Sequence, residues 1–335
     1  MNGPLLRVEN LVTAFEVRGR SLFAKPLELR AVNDVSFTLA AGETLGVVGE
    51  SGCGKSTLGR SILRLIEPTA GRIVWQGRVL TGLTDEEMRR ARRDMQIIFQ
   101  DPVASLDPRM TVSDIIAEPL TVFEPQLRRK EREARVQEMM EAVGLAPEMV
   151  NRYPHEFSGG QAQRIGIARA IVTRPKLIVC DEPVSALDVS IQAQIINLLR
   201  RLRDEFDLTL IFISHDLSVV RLISDRILVL YLGRIVEIGD SRAVFDRPAH
   251  PYTRALLSAA PIPDPKIARN RPRVQLTGDP PSPISPPPGC VFSSRCPFVI
   301  DACRTAQPPL IQTAGGQQAA CIRLDNAFQS QAPSV

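Results

Sequence analysis

"GESGCGKST", Gly49 to Thr57, decides how this chain is read. It fits G-x-x-x-x-G-K-[ST], follows the apolar run "TLGVV", and leads into "TLGRSILRLIEP", whose apolar spacing predicts a helix that stops near Pro68. Glycines let backbone N–H groups turn inward around an anion, and a helix N-terminus adds favourable potential for negative charge. The stretch is therefore expected to cradle the phosphates of a nucleotide through Gly49, Ser51, Gly52, Cys53, Gly54, Lys55, Ser56 and Thr57. Lys55 would reach the β- and γ-phosphates, and the Ser56 hydroxyl would ligate Mg2+. Cys53 reads as a small residue filling a variable position.

A second stretch, "LIVCDEP" (Leu177 to Pro183), supplies what a phosphate loop needs for hydrolysis. An apolar strand delivers Asp181 to its end, where a carboxylate can enter the Mg2+ shell. Glu182 comes next, suited to orient or polarise an attacking water. An ATPase fits this pair better than a kinase, because the carboxylates serve water and nothing marks an acceptor site.

Around these two stretches the pattern is that of an α/β protein, with short apolar runs alternating with helix-period segments. "TLGVVG" (Thr44 to Gly49), "KLIVC" (Lys176 to Cys180) and "LTLIFIS" (Leu208 to Ser214) are continuous enough to be strands buried on both faces. Between the last two, Ile191, Ile195, Leu198, Leu199, Leu202 and Phe206 form one helical stripe. "RILVLYLGRIVEIGD" (Arg226 to Asp240) reads as two strands around a turn at Gly233. Residues 103–163 are charged, rich in Met, Leu and Ala, and without a clear strand, so a helical insertion is expected there. From about residue 240 proline accumulates, and "PPSPISPPPG" at 280–289 predicts a semi-rigid linker or irregular tail.

Composition narrows the partners. The chain has 335 residues, 44% of them apolar and 23% charged, a balance that supports a large buried core. Its net charge of +4 does not demand nucleic acid, and none is expected as a partner. The basic runs at 89–94 and 127–135 interleave with acids at helical spacing and read as solvated helix faces. No apolar run approaches the ~18–20 residues of a spanning helix, and Arg7 and Glu9 stand where a signal peptide would need an apolar core. A cytosolic chain is expected, whose cysteines are thiols or metal ligands rather than disulfides.

"FSGGQAQR" (Phe157 to Arg164) narrows the family. Placed a little upstream of the Asp-Glu strand and opening a helix, it resembles the signature of the ATP-binding cassette ATPases. Gln100 in "IIFQDP" is similar to the family's Q-loop, "SALD" (Ser185 to Asp188) to its D-loop, and His215 in "ISHD" to its switch histidine. The resemblance covers roughly residues 5–260; Phe157 and Ala162 depart from the usual flanks, while the Ser-Gly-Gly-Gln core is intact. It implies a P-loop NTPase cassette: a RecA-like core sheet plus an antiparallel β subdomain at 1–102 and 164–255, an inserted α-helical subdomain at 103–163, and a small Pro/Cys-rich C-terminal extension at 256–335. It also implies that Phe15 stacks on adenine and that Gln100 joins Ser56 and Asp181 around Mg2+. Glu182, His215 and Lys55 would be the catalytic residues. Ser158, Gly159, Gly160, Gln161 and Asp188 would contact nucleotide in a sandwich of two cassettes. His155 and His250 lack such a setting and read as structural.

"QDPVASLDPRMTVSDIIAEPL" (Gln100 to Leu120), "HPYTRALLSAAPIPDP" (His250 to Pro265) and the tail resemble the ATPase subunits of bacterial oligopeptide/dipeptide importers, an architecture shared with nickel and glutathione importers. The Val17–Leu29 insertion leans toward the second of two ATPase types. This implies a paralogous ATPase as dimer partner, two transmembrane permease subunits, an extracytoplasmic substrate-binding protein, and a peripheral place on the cytoplasmic face of the inner or plasma membrane. A non-transport cassette acting in repair or translation is the rival reading.

Of six cysteines, four gather late: Cys290, Cys296, Cys303 and Cys321, spaced C-x5-C-x6-C-x17-C. The C-x2–4-C pairs of zinc sites are absent, and spacing alone leaves metal ligation and free thiols equally open. The family resemblance implies a [4Fe–4S] cluster that staples the tail. Cys180, on the Asp-Glu strand, reads as core.

Overall fold

A computed structural model describes residues 3–17, 26–259 and 278–324. Most of the Val17–Leu29 insertion, the end of the His250–Pro265 stretch and the last residues of the chain lie outside that description.

The chain opens with β1 (Leu6–Val17), β2 (Leu27–Leu39) and β3 (Thr44–Val48), then α1 (Lys55–Ile62), β4 (Ala70–Trp75), β5 (Arg78–Val79), α2 (Asp85–Ala91) and β6 (Met95–Ile98). Only helices and turns follow up to the next strand: α3 (Val112–Phe123), α4 (Arg129–Ala142) and α5 (Gly159–Ile171). Then come β7 (Leu177–Asp181), α6 (Val189–Phe206), β8 (Thr209–Ile213), α7 (Leu217–Ile223), β9 (Arg226–Tyr231) and β10 (Arg234–Asp240). The chain closes with α8 (Ser241–Asp246), α9 (Pro251–Ala259), β11 (Ile311–Gln312) and β12 (Gln318–Ala319).

Two sheets organise these elements. A four-stranded sheet has the order β2-β1-β4-β5, and an eight-stranded sheet has the order β11-β12-β10-β9-β3-β8-β7-β6. Within the larger sheet β9, β3, β8, β7 and β6 run parallel. Every residue of β3, β7 and β8 is buried, as their unbroken apolar runs predict. Successive side chains leave a strand on opposite faces, so the two cores interleave residue by residue. Val47, Val179, Ile211 and Ile213 pack toward the four-stranded sheet with Leu58 and Ile62 of α1. Val48, Ile178, Cys180, Leu210 and Phe212 pack toward the helices on the other face.

Two expectations need correction. α1 ends at Ile62, well short of Pro68, because the chain turns out of the helix there and Arg64 takes a left-handed conformation with φ 49°. The proline run at 280–289 holds no helix or strand, as expected, but the tail beyond it is not irregular throughout: β12 pairs antiparallel with β10 through Glu237↔Ala319 and Ile238↔Gln318, and β11 pairs with β12, so the extension adds to the central sheet. The runs "IQ" and "QA" are too short to show a period of two.

The extension docks over a buried titrating pair. Glu237 on β10 accepts the backbone N–H groups of Ala249 and His250 at 2.8 and 2.9 Å, and His250 Nδ1 accepts the N–H of Tyr252 at 3.1 Å. Burial pushes Glu237 from 4.5 up to about 7 and His250 from 6.5 down to about 3. The signs oppose. A raised Glu237 favours the fold below pH 4.5, and that contribution is lost as pH rises through 7. A depressed His250 favours the fold above pH 6.5, and that contribution is lost as pH falls toward 3. In Glu237→Gln only the histidine remains. Its melting temperature is expected to fall by roughly 5 °C more than that of the wild-type chain between pH 7 and pH 5, read by thermal unfolding. Parallel curves would remove the pair from the pH response.

Candidate active site

The phosphate loop leaves β3 at the centre of the large sheet, so its two neighbours, β8 and β9, bring their own ends to it. The Cys53 carbonyl accepts the N–H of Gly233 from the β9–β10 turn at 2.9 Å, which ties the loop to that hairpin. Two glycines serve different needs. Gly52 has φ +77° with open space where a Cβ would stand, so it answers to backbone conformation alone. Gly54, the residue before α1, has φ +106°, and a Cβ there would sit 2.0 Å from the Ala31 carbonyl oxygen of β2. Burial pushes the Cys53 thiol up to about 11, so it stays protonated and fills space.

Lys55 is 4% exposed, and its ammonium donates to the carbonyls of Gly49 and Glu50 at 2.9 and 3.0 Å. A charge folded back on the loop it belongs to is available to an anion that enters the loop. Next to it, Ser56 Oγ donates to Asp181 Oδ1 at 2.6 Å. Asp181 is fully buried at the end of β7, and its other oxygen takes Arg60 Nη2 at 3.2 Å. A hydroxyl and a carboxylate side by side are hard oxygen donors, the donor set that Mg2+ takes, and these two residues fit that ion. Arg60 had not stood out in the sequence. The signal was its place one helical turn after Ser56, on the same face of α1.

Glu182 is where separate elements meet. Its φ is +48°, a strained value for a non-glycine, and its N–H donates to Ile213 O of β8 at 3.1 Å. One carboxylate oxygen lies 3.2 Å from Gln100 Nε2 and 3.2 Å from His215 Nδ1. Residues 82 and 33 positions away in sequence thus converge on one oxygen at the edge of the loop. The glutamate side chain is 13% exposed and the histidine 57%, so the cluster opens to solvent on the histidine side.

The signature stretch stands apart. Ser158 caps α5 in a reciprocal box: it accepts the Gln161 N–H, and Gln161 Oε1 accepts the Ser158 N–H at 3.0 Å. Ser158 and Gly159 are exposed, and their hydrogen bonds among the described residues do not reach the phosphate loop. Asp188 precedes α6, exposed and without a side-chain capping bond, and beside it Val189 is 82% exposed. Phe15 lies on β1, 39% exposed. His155 stacks on Tyr153, and His250 is buried.

The expected iron–sulfur site is not supported. Cys290, Cys296, Cys303 and Cys321 do line one cavity, but it has a volume of about 10 Å3, room for a single water. Burial pushes the Cys296 and Cys321 thiols up to about 11. Among the described residues no group of three or more His, Cys, Asp or Glu is set to hold a metal ion. All six cysteines are free thiols.

A parallel sheet that sets a phosphate loop beside an Asp-Glu strand, with a glutamine and a histidine closing on the glutamate, defines an ATP-binding cassette ATPase. Comparisons with known proteins agree. Residues 32–185 match the ABC transporter family, and residues 236–303 match the oligopeptide/dipeptide transporter C-terminal region. The oligopeptide transport ATP-binding protein OppF of Haemophilus influenzae is 55% identical over 96% of this chain and 97% of its own length. That of Escherichia coli is 54% identical over 96% of each. Among solved structures, the dimeric post-hydrolysis state of the cassette MJ0796 bound to ADP and Pi superposes with a TM-score of 0.63 at 29% identity, covering 71% of this chain and 99% of that one. The chain belongs to the oligopeptide/dipeptide-transporter group of the ATP-binding cassette ATPases.

Proposed function

We propose that this ATPase powers the import of di- or oligopeptides through a membrane transporter. The observation that carries the reading is the C-terminal extension. It matches the oligopeptide/dipeptide transporter region and is built into the central sheet through β12. The relatives' names supply the cargo class.

In this reading Gly49 to Thr57 cradle the triphosphate, with Lys55 turning from its own loop carbonyls to the β- and γ-phosphates. Ser56, Asp181 and Gln100 hold Mg2+, which when bound neutralises phosphate charge. Glu182 orients the attacking water and takes its proton, while His215 faces the γ-phosphate beside it. Phe15 stacks on adenine. Ser158, Gly159, Gly160, Gln161 and Asp188 close over the nucleotide of a second cassette; Ser158, Gly159 and Asp188 are exposed and Gly160 and Gln161 half-buried. The partner cassette is a paralogous ATPase, and the Gln100 loop with the helices of 103–163 forms the contact to two transmembrane permease subunits. An extracytoplasmic binding protein delivers the peptide, and the chain sits peripherally on the cytoplasmic face of the membrane. The core would then comprise 1–102 and 164–255, with 256–335 as the extension of the second ATPase type. Among the described residues no helix is long and apolar enough to cross a membrane.

The test is uptake. Deleting the gene is expected to abolish growth of an auxotroph on a tripeptide carrying the required amino acid, while growth on the free amino acid continues. The wild-type gene restores it. Unchanged peptide use, together with lost nickel or glutathione uptake, would replace the cargo and leave the ATPase in place.

A further inference from the structure

The ATP site is not confined to the cassette motifs. Glu50, the second residue of the phosphate loop, is held from two sides by the C-terminal part of the chain. Its backbone N–H donates to the hydroxyl of Tyr252 on α9 at 2.8 Å. Its carboxylate takes Arg295 Nη1 at 2.8 and 3.1 Å, a contact between residues 245 positions apart. The same residue's carbonyl accepts Lys55 Nζ. Arg295, Glu50 and the phosphate-binding lysine thus form one chain of contacts.

The arginine is built in rather than draped on the surface. It is 8% exposed and lies against a wall of buried aromatics, its Nη1 3.5 Å from the Tyr231 hydroxyl. Tyr231 packs on Tyr252 and Phe292 with centroids 4.6 and 5.3 Å apart, and Tyr252 lies 5.5 Å from Phe292. Its backbone is pinned in the turn between Cys290 and Cys296, where the Arg295 N–H donates to Phe292 O at 3.1 Å. A carboxylate inside a loop that wraps a triphosphate opposes the ligand's charge, and in a partly buried setting that opposition is weakly screened. A buried guanidinium on that carboxylate cancels that charge.

We propose that the C-terminal extension completes the nucleotide site, with Arg295 as a positioning residue that neutralises the Glu50 carboxylate inside the phosphate loop. This needs only the ATP site and not the peptide cargo proposed above.

The test measures Mg·ATP affinity and turnover on the full chain. Arg295→Ala is expected to weaken ATP binding about tenfold, with kcat at saturating ATP changed less than about threefold, since one uncompensated charge near the phosphates acts on binding. Arg295→Lys should recover most of the affinity. Glu50→Gln alone should bind ATP at least as tightly as the wild-type chain. Glu50→Gln combined with Arg295→Ala should return to within about threefold of wild type, because the charge that Arg295 cancels is gone. A lowered melting temperature of Arg295→Ala with unchanged ATP affinity would make the contact purely structural and overturn the proposal, as would an equal loss in the double variant. If Arg295→Ala does not fold, Glu50→Gln decides alone: a tenfold weaker Kd there refutes the charge argument.

Discussion

Glu182→Gln is expected to bind Mg·ATP with near-wild-type affinity and to hydrolyse it at least about a hundredfold more slowly, the range over which a positioned general base acts. Glutamine is isosteric and keeps an oxygen for Gln100 and His215, so the local geometry survives. What it loses is the capacity to take a proton from water. Three features mark this carboxylate as the site of that chemistry. Its backbone is held at φ +48°, its N–H is tied to β8, and two polar side chains from separate elements meet on one of its oxygens. Phosphate release and nucleotide binding by a fluorescent ATP analogue read the two halves of the expectation separately. Turnover within a few-fold of wild type would take the role away from Glu182 and leave the water to another group.

The site was legible in sequence wherever a local pattern carried it. β3, β7 and β8 announce themselves because strands buried on both faces must be apolar throughout, and each ends at a motif. Convergence was only partly legible. The order of Gln100, Asp181, Glu182 and His215 could be read, but their meeting depends on β6, β7 and β8 lying side by side in parallel, which no local period encodes. Contacts of long reach were not legible at all. Arg295 sits among prolines and cysteines with nothing to pair it with Glu50, and β11 and β12 exist because β10 offers an edge. The cysteines show the opposite failure. The spacing of the four late cysteines left metal and free thiols equally open and only the family resemblance implied a cluster, yet in the fold they line a cavity the size of one water.

Gly54→Ala is expected to abolish ATP binding and lower the melting temperature, whereas Gly52→Ala, two residues earlier in the same loop, is expected to do far less. Both glycines have positive φ, so each substitution costs on the order of 1–3 kcal/mol in backbone strain. At Gly52 the cost stops there, since a Cβ would meet nothing within 4 Å. At Gly54 the new methyl would lie 2.0 Å from the Ala31 oxygen and 3.1 Å from its carbon, both backbone atoms of β2. β2 cannot retreat without breaking its ladder with β1, where Arg30 and Val32 on either side of Ala31 are paired. The loop must move instead, and it carries Lys55 and the start of α1 with it. A displacement near 1 Å is enough to cost about a hundredfold where phosphates are held by aimed N–H groups. Thermal unfolding should show a drop of roughly 6 °C or more for Gly54→Ala and about half that or less for Gly52→Ala. Binding of ATP by Gly54→Ala within threefold of wild type would mean that the loop's shape is not set by its contact with β2.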